Sequence, residues 1–309
     1  MVGLTRTIRS PLPIALSRTL GAVRVGLGDP TMLVRDDDLW RASHTPEGPA
    51  TIHLRSVDAL TVDATAWGRG AAWLVDRADW LIGARDSLEG FDPGRHPAVA
   101  RAIHKVPGLR IGATGLVHDT LVPAILGQKV TVAQAKKAWR MLVHLYGTPA
   151  PGPDLSALRP SGLKLPPTAA QIAAMPYWAW HPMGVERRRA DVIALATARI
   201  DRLQDAATMA PEAADRRLQA IRGIGPWTAG LIRRVSFGDP DAVQLADFHI
   251  PNTIAWNLAG EPRGDDARML ELLAPFAGHR GRVVLLVKHA LGGAPKRGPR
   301  MSIHAVEDL

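Results

Sequence analysis

The 309-residue chain contains no cysteine. That excludes disulfides, thiolate zinc sites and cysteine-ligated iron–sulfur clusters. No run is long and apolar enough to span a bilayer, which takes about 20 residues. No phosphate-binding P-loop and no dinucleotide fingerprint occurs. The 11 histidines are scattered, and none forms an HxxxH-like pair with a carboxylate partner, so neither metal nor cofactor is expected. Acidic residues are in deficit, 29 against 38 Lys and Arg, which leaves a formal charge of +9. That balance points to a polyanionic partner, although an arginine-rich composition can also reflect a GC-rich genome. Near the start, Arg6 and Arg9 precede an apolar Pro11–Leu16, but Arg18 and Arg24 break the run and no small-residue cleavage pattern follows. A soluble, cytoplasmic protein is expected, with no membrane partner.

What is present divides the chain in two. Up to about residue 105, Ala22–Leu27 and Thr51–Val57 alternate apolar and polar side chains, as half-buried strands do. Turn signals lie between them at Gly28-Asp29-Pro30 and Thr45–Pro49. Ala64–Leu81, with Trp67, Trp73 and Trp80, reads as a helix packed on that sheet, its tryptophans in the core. From Val117 the periodicity is helical: an amphipathic His118–Leu126, then a second helix that starts across Gly127–Thr131 and runs through Ala133 to Tyr146. Gly147–Pro167, rich in proline and glycine, reads as a linker. An aromatic loop, Pro176–Pro182, leads into a helix studded with Arg187, Arg188 and Arg189, a combination that suits either nucleic-acid contact or packing between domains. The tail 292–309 is basic and glycine-rich, with Lys296, Arg297 and Arg300. The predicted fold is α+β: an N-terminal domain over 1–105 with an antiparallel sheet and helices, then an all-α domain over 106–309.

The most informative stretch is Leu218–Asn252. Leu218 and Ile221 recur at helical spacing, Gly223-Ile224-Gly225 interrupts the helix, and Pro226 stands where a first helical position tolerates a missing N–H. This predicts helix, tight hairpin, helix over 218–234, with Ile224 plugging the angle. The second helix would open on free N–H groups that suit a phosphate. After the turn at Asp239-Pro240-Asp241, Asp247 falls at or near the N-cap of a further helix, closing a loop over 239–252. On spacing alone, GxG between helices is a common loop and such an aspartate is an ordinary cap.

The run GIGPWTA followed by ADFHI resembles the helix-hairpin-helix base-excision DNA glycosylase superfamily, and within it the bacterial 3-methyladenine DNA glycosylase II branch. The runs TPEGPATI, AWGRGAAWLVD, ILGQKVTVAQAKKAW and GVERRRADVIALA are similar to other parts of that family. The resemblance implies that Gly223, Ile224 and Gly225, with Thr228 beside them, grip the DNA backbone and that Asp247 drives base removal. It implies that Gln128 or Lys129 lies in the loop whose side chain fills the gap left by an extruded base. Lys129 departs from the apolar wedge found in some relatives. Members that also cleave the strand hold lysine where this chain has Trp227, which implies a monofunctional enzyme without lyase activity. Trp227 is the best-placed pocket aromatic. Leu231 stands where some relatives have another, and Val283–Leu291 supplies none, so Trp178, Trp180, Tyr177 or Trp256 are the remaining candidates.

The chemistry expected from that resemblance is hydrolysis of an N-glycosidic bond in damaged double-stranded DNA. The base is extruded at a cost of a few kcal/mol, and a carboxylate stabilises the oxocarbenium-like sugar as the bond breaks. A cationic base such as 3-methyladenine leaves easily, and an electron-rich aromatic pocket favours it through cation–π attraction of about 1–2 kcal/mol. The rivals are a same-fold glycosylase for hypoxanthine or ethenoadenine and a non-catalytic hairpin clamp. A bifunctional lyase would need the lysine that Trp227 replaces. No obligate protein partner is indicated.

Overall fold

The computed structural model describes residues 2–295, so most of the basic tail, including Lys296, Arg297 and Arg300, lies outside the described residues. Five antiparallel strands, β1 (Leu4–Arg9), β2 (Met32–Arg35), β3 (Asp38–Thr45), β4 (Gly48–Ser56) and β5 (Thr61–Gly68), form one sheet in the order β1-β5-β4-β3-β2. Side chains alternate across it. Ile52 lies opposite Ala66 and Leu54 opposite Ala64, and all four face a buried core that continues into Leu20, Leu74 and Ile82.

On the other face Trp40 stacks on His53 at 3.9 Å and on Trp67 at 5.4 Å. Three expectations fail in this region. Ala22–Leu27 is no strand, because Asp29 gathers the segment into a turn, accepting from the amides of Val25 (2.8 Å) and Thr31 (3.0 Å). Ala64–Leu81 is not one helix: Thr61–Gly68 is strand, Gly68 (φ +100°) turns the chain, and only Ala71–Asp76 and Ala78–Leu81 are helical. Trp67 therefore belongs to a sheet face, and Trp80 is exposed with Arg85 over its ring. The linker Gly147–Pro167 forms a two-residue ribbon, Thr148–Pro149 with Lys164–Leu165, and packs Leu155, Leu163 and Leu165 on Leu33 and Ala42 of the sheet.

The helical part has two main cores, beside a small cluster of Ala102, Val106 and Leu286. One joins the helices Val117–Leu126, Val132–Tyr146, Arg187–Thr197, Pro211–Gln219 and Pro226–Ser236. The second joins Ile250–Ala259, Asp266–Leu273 and Arg280–Ala290. The helix Pro97–Lys105, numbered within the first expected domain, packs Ala98 and Val99 into that second core. Buried ion pairs tie the sheet region to the helices: Arg41 to Asp119 at 2.6 Å, and Arg282 to Asp86 at 2.5 Å. Among the described residues no helix is long and apolar enough to cross a membrane.

Candidate active site

The hairpin forms as its sequence dictates. Helix Pro211–Gln219 ends, Gly223 takes φ +101°, and helix Pro226–Ser236 begins with proline in its first turn. A Cβ on Gly223 would lie 2.4 Å from a Val192 methyl, so its backbone angle and the close approach both require glycine there. Ile224 is buried in the helical core, and its amide closes the turn on the Ile221 carbonyl at 2.9 Å. Among the described residues the first backbone acceptor used by the second helix is the Gly225 carbonyl, bonded by the Ala229 amide at 3.0 Å. The amides of Trp227 and Thr228 are left for an anion.

Asp247 is half-buried at the end of the loop that follows. Its Oδ1 accepts from the amides of His249 (2.7 Å) and Ile250 (2.8 Å), at the start of helix Ile250–Ala259. Its Oδ2 accepts from the indole Nε1 of Trp227 at 2.7 Å. The preceding Ala246 takes φ +57°, with its amide bonded to Asp266 at 2.7 Å. Two amides thus use one oxygen, and the indole fixes the plane of the other. Trp227 acts here first as a positioning donor, a role its aromatic character did not suggest.

Gln128 donates to the Gly223 carbonyl (3.0 Å) and to Thr228 Oγ1 (3.1 Å), so the loop after helix Val117–Leu126 is bolted to the hairpin. Its amide is thus committed to the protein. The Thr228 side chain, expected to face DNA, is turned inward and buried; only its backbone amide is available. Lys129 is exposed, with φ +56°.

No protein-family model matches the chain. Two curated relatives from strains of Mycobacterium tuberculosis, each named a probable bifunctional transcriptional activator/DNA repair enzyme AlkA, are 30% identical over 158 residues, which is 50% of this chain and 30% of their length. The match thus spans under a third of those proteins. Among solved structures, a 3-methyladenine DNA-glycosylase from Archaeoglobus fulgidus superposes with a TM-score of 0.76 at 16% identity, covering 91% of this chain and 96% of that one. The 8-oxoguanine glycosylase/lyase of Clostridium acetobutylicum, in complex with double-stranded DNA, gives 0.69 at 11% identity, covering 94% and 98%. The chain has the helix-hairpin-helix glycosylase fold.

Within this glycosylase fold the remaining candidates separate. Leu231 is half-buried one turn beyond Trp227. Trp180 is 1% exposed and packs among Leu126, Met183 and Ile193, so it is a core residue rather than the wall of an open pocket. Trp178, from the same short helix, is 73% exposed. Tyr177 lies under Arg187, and Trp256 is only marginally exposed.

Two features escaped sequence reasoning. Phe248, next to Asp247, is 79% exposed and meets His249 edge-on at 5.0 Å. It was visible in ADFHI as an apolar residue at a cap. The other feature is a group of basic residues, Arg234, Lys288 and His289, that influence one another, with Lys288 also feeling Asp247. Arg234 is buried, and burial pulls its pKa down to about 10. Lys288, on helix Arg280–Ala290, is lowered by burial and by Arg234, while Asp247 pulls it the other way. His289 is lowered by burial, then by Lys288, Arg234 and Arg18. Lys288 and His289 are exposed, and nothing in a local pattern distinguishes the buried Arg234 from its solvated neighbours.

Proposed function

We propose that this chain is a monofunctional DNA glycosylase that extrudes a damaged purine from duplex DNA and hydrolyses its N-glycosidic bond. The observation that carries the reading is the Asp247 carboxylate, held by two amides and the Trp227 indole beside the hairpin. An anion fixed in this way stabilises positive charge on the sugar without reorganising, and the one lone pair left on Oδ2 can orient and deprotonate the attacking water. The hairpin amides and the basic surface supply phosphate contacts. Trp227 occupies the position of the Schiff-base lysine, and an indole nitrogen forms no imine, so strand cleavage is not part of the reaction. The resemblance in the sequence puts alkylated purines of the 3-methyladenine type first.

Asp247→Asn is the direct test. Base release should fall by roughly 10²–10⁴-fold while duplex affinity stays within a factor of a few, since an amide keeps the shape but not the charge. Equal release by both proteins would remove Asp247 from the chemistry. Binding without release by either would favour the non-catalytic clamp. Borohydride should trap no covalent complex. Affinity for undamaged duplex should drop steeply with salt as counterion release is lost.

A further inference from the structure

We propose that the seam between the turn over 24–29 and helix Val132–Tyr146 is a second DNA-binding surface, which holds the backbone of the duplex several base pairs away from the hairpin. The proposal rests on the reading of duplex DNA as the partner and adds a contact that the hairpin does not make.

The charge of the chain is spread unevenly. Residues 1–28 contain Arg6, Arg9, Arg18 and Arg24 and no acidic residue, a contribution of +4. Residues 120–185 contain six Lys or Arg against one carboxylate, Asp154, a contribution of +5. These two stretches hold the whole formal charge of +9, and the rest of the chain is neutral. Each alone is an ordinary solvated run of one sign. The fold brings them together.

Lys136 and Arg140 stand one turn apart on helix Val132–Tyr146, which contains no Asp or Glu. The Lys136 stem passes 2.7 Å from where a Cβ on Gly26 would stand, and the Arg140 Cδ lies 3.0 Å from the same point on Gly28. The turn between those glycines is at the surface, with Leu27 84% exposed at its tip. Arg24 donates to the Leu27 carbonyl at 2.8 Å, and Arg159 comes in from the linker to the carbonyls of Asp29 (2.5 Å) and Met32 (3.0 Å). Among the described residues no ion pair neutralises these four cations. The Asp29 carboxylate offsets part of the charge of Arg159, but it is 1% exposed. It is taken up by the amides of Val25 and Thr31, the Thr31 hydroxyl and the Trp139 indole. The repulsion is felt: Arg159 is lowered by burial and by Arg24, and His144, one turn beyond Arg140, by desolvation and then by Lys164, Arg159 and Arg140.

Cations gathered against their own repulsion, with no carboxylate to meet them at the surface, fit a polyanion. Continuity with the hairpin selects DNA. Helix Val132–Tyr146 is capped by Thr131, three residues after Gln128, which bonds both the Gly223 carbonyl and Thr228. The seam is therefore held at a fixed distance from the hairpin amides. Lys136 and Arg140 lie about 8 and 14 Å along the helix axis from its cap, at 1.5 Å per residue. With the loop added, a duplex rising 3.4 Å per base pair covers that distance in roughly five base pairs. Phosphate contacts of this kind carry no sequence information and let a protein slide along DNA, so the seam serves the search for damage rather than its excision.

The test measures affinity by fluorescence anisotropy, over a range of salt, for duplexes centred on a tetrahydrofuran abasic analogue with flanks of about 4 or about 12 base pairs. Wild type should bind the longer duplex more tightly and with the steeper salt dependence. The double variant Lys136→Gln/Arg140→Gln should weaken binding of the longer duplex roughly 5–30-fold and lower its salt slope by about 2, while the shorter duplex changes by less than about twofold. The exchange Lys136→Arg/Arg140→Lys, which keeps both charges, should bind like wild type. Unchanged affinity for the shorter duplex, with thermal melting, guards against misfolding. Equal affinity of wild type for the two lengths overturns the proposal. So does an equal loss on both, which puts the two cations inside the hairpin footprint. No loss on either overturns it as well, and binding of polyglutamate that the variant then lacks would give the seam to an acidic protein. Failure of wild type to bind any duplex overturns the DNA reading itself.

Discussion

Arg282 and Arg234 lie in adjacent parts of one molecule, are about equally hidden, and differ in what answers them. Arg282 is held by Asp86 on two sides and by the Ser87 carbonyl at 3.0 Å. Among the described residues Arg234 forms no hydrogen bond or ion pair, and its Nε is buried without a partner. A buried charge with a partner built into the chain ties elements together, and one without a partner costs stability where it sits. Arg41 falls between: it holds Asp119 at 2.6 Å, yet its Nη1 and Asp119 Oδ1 stay unbonded beside a cavity of about 10 Å³, close to the volume that one water needs.

The comparison can be broken by substitution. Arg282→Met should cost the most, about 3–5 kcal/mol of unfolding free energy, because it leaves Asp86 buried with the Ile111 amide but without its bidentate guanidinium; the double variant Arg282→Met/Asp86→Leu should recover most of that. Arg234→Met should move stability the other way, up by about 1–3 kcal/mol, since an apolar side chain replaces an uncompensated charge. Denaturant titration of both proteins decides the matter, and similar losses for the two would erase the distinction. A neutral yardstick is Thr131→Ala, which removes a capping box with Gln134 and should cost about 1 kcal/mol.

The smallest effect is a pH dependence at His118. Burial lowers its pKa, while Asp119 and the Pro167 carbonyl pull it up. The folded state therefore resists protonation that the unfolded chain accepts near pH 6.5, so the stability is present above that pH and drains away as pH falls below it. His118→Asn should flatten that part of a pH–stability profile.

These contrasts also explain what the sequence made legible. The hairpin could be placed because its determinants are local: two glycines, a proline and an apolar plug within seven residues of one another. Asp247 could be placed because a cap before an apolar helix is local as well. The Trp227–Asp247 bond was not legible, since it joins residues 20 positions apart through a loop whose path depends on Asp266 and Val243. Arg233 and Arg234 look alike in sequence. Only the packed helix shows that Arg233 pairs with Asp215 and Asp239 while its neighbour is turned inside. In the sheet, the spacing of three tryptophans suggested a helix and hid the alternation of Thr61–Trp67, which β5 follows. Trp178 and Trp180 could not be told apart for a related reason, because exposure of one indole and burial of the next in Tyr177–Trp180 is decided by what packs against them.

The packing of Pro97–Lys105 against Arg280–Ala290 sets a timetable for synthesis. Arg95 bonds the Pro275 carbonyl across 180 positions, and Arg282 reaches Asp86 across 196. At roughly 5–20 residues per second, a ribosome needs on the order of 10–40 s to deliver the later partners after the earlier ones emerge. During that interval Ala98 and Val99 have no core to enter, and Asp86 has no guanidinium. The sheet and the hairpin can form while the chain grows, but the second core closes only once its last helix has emerged.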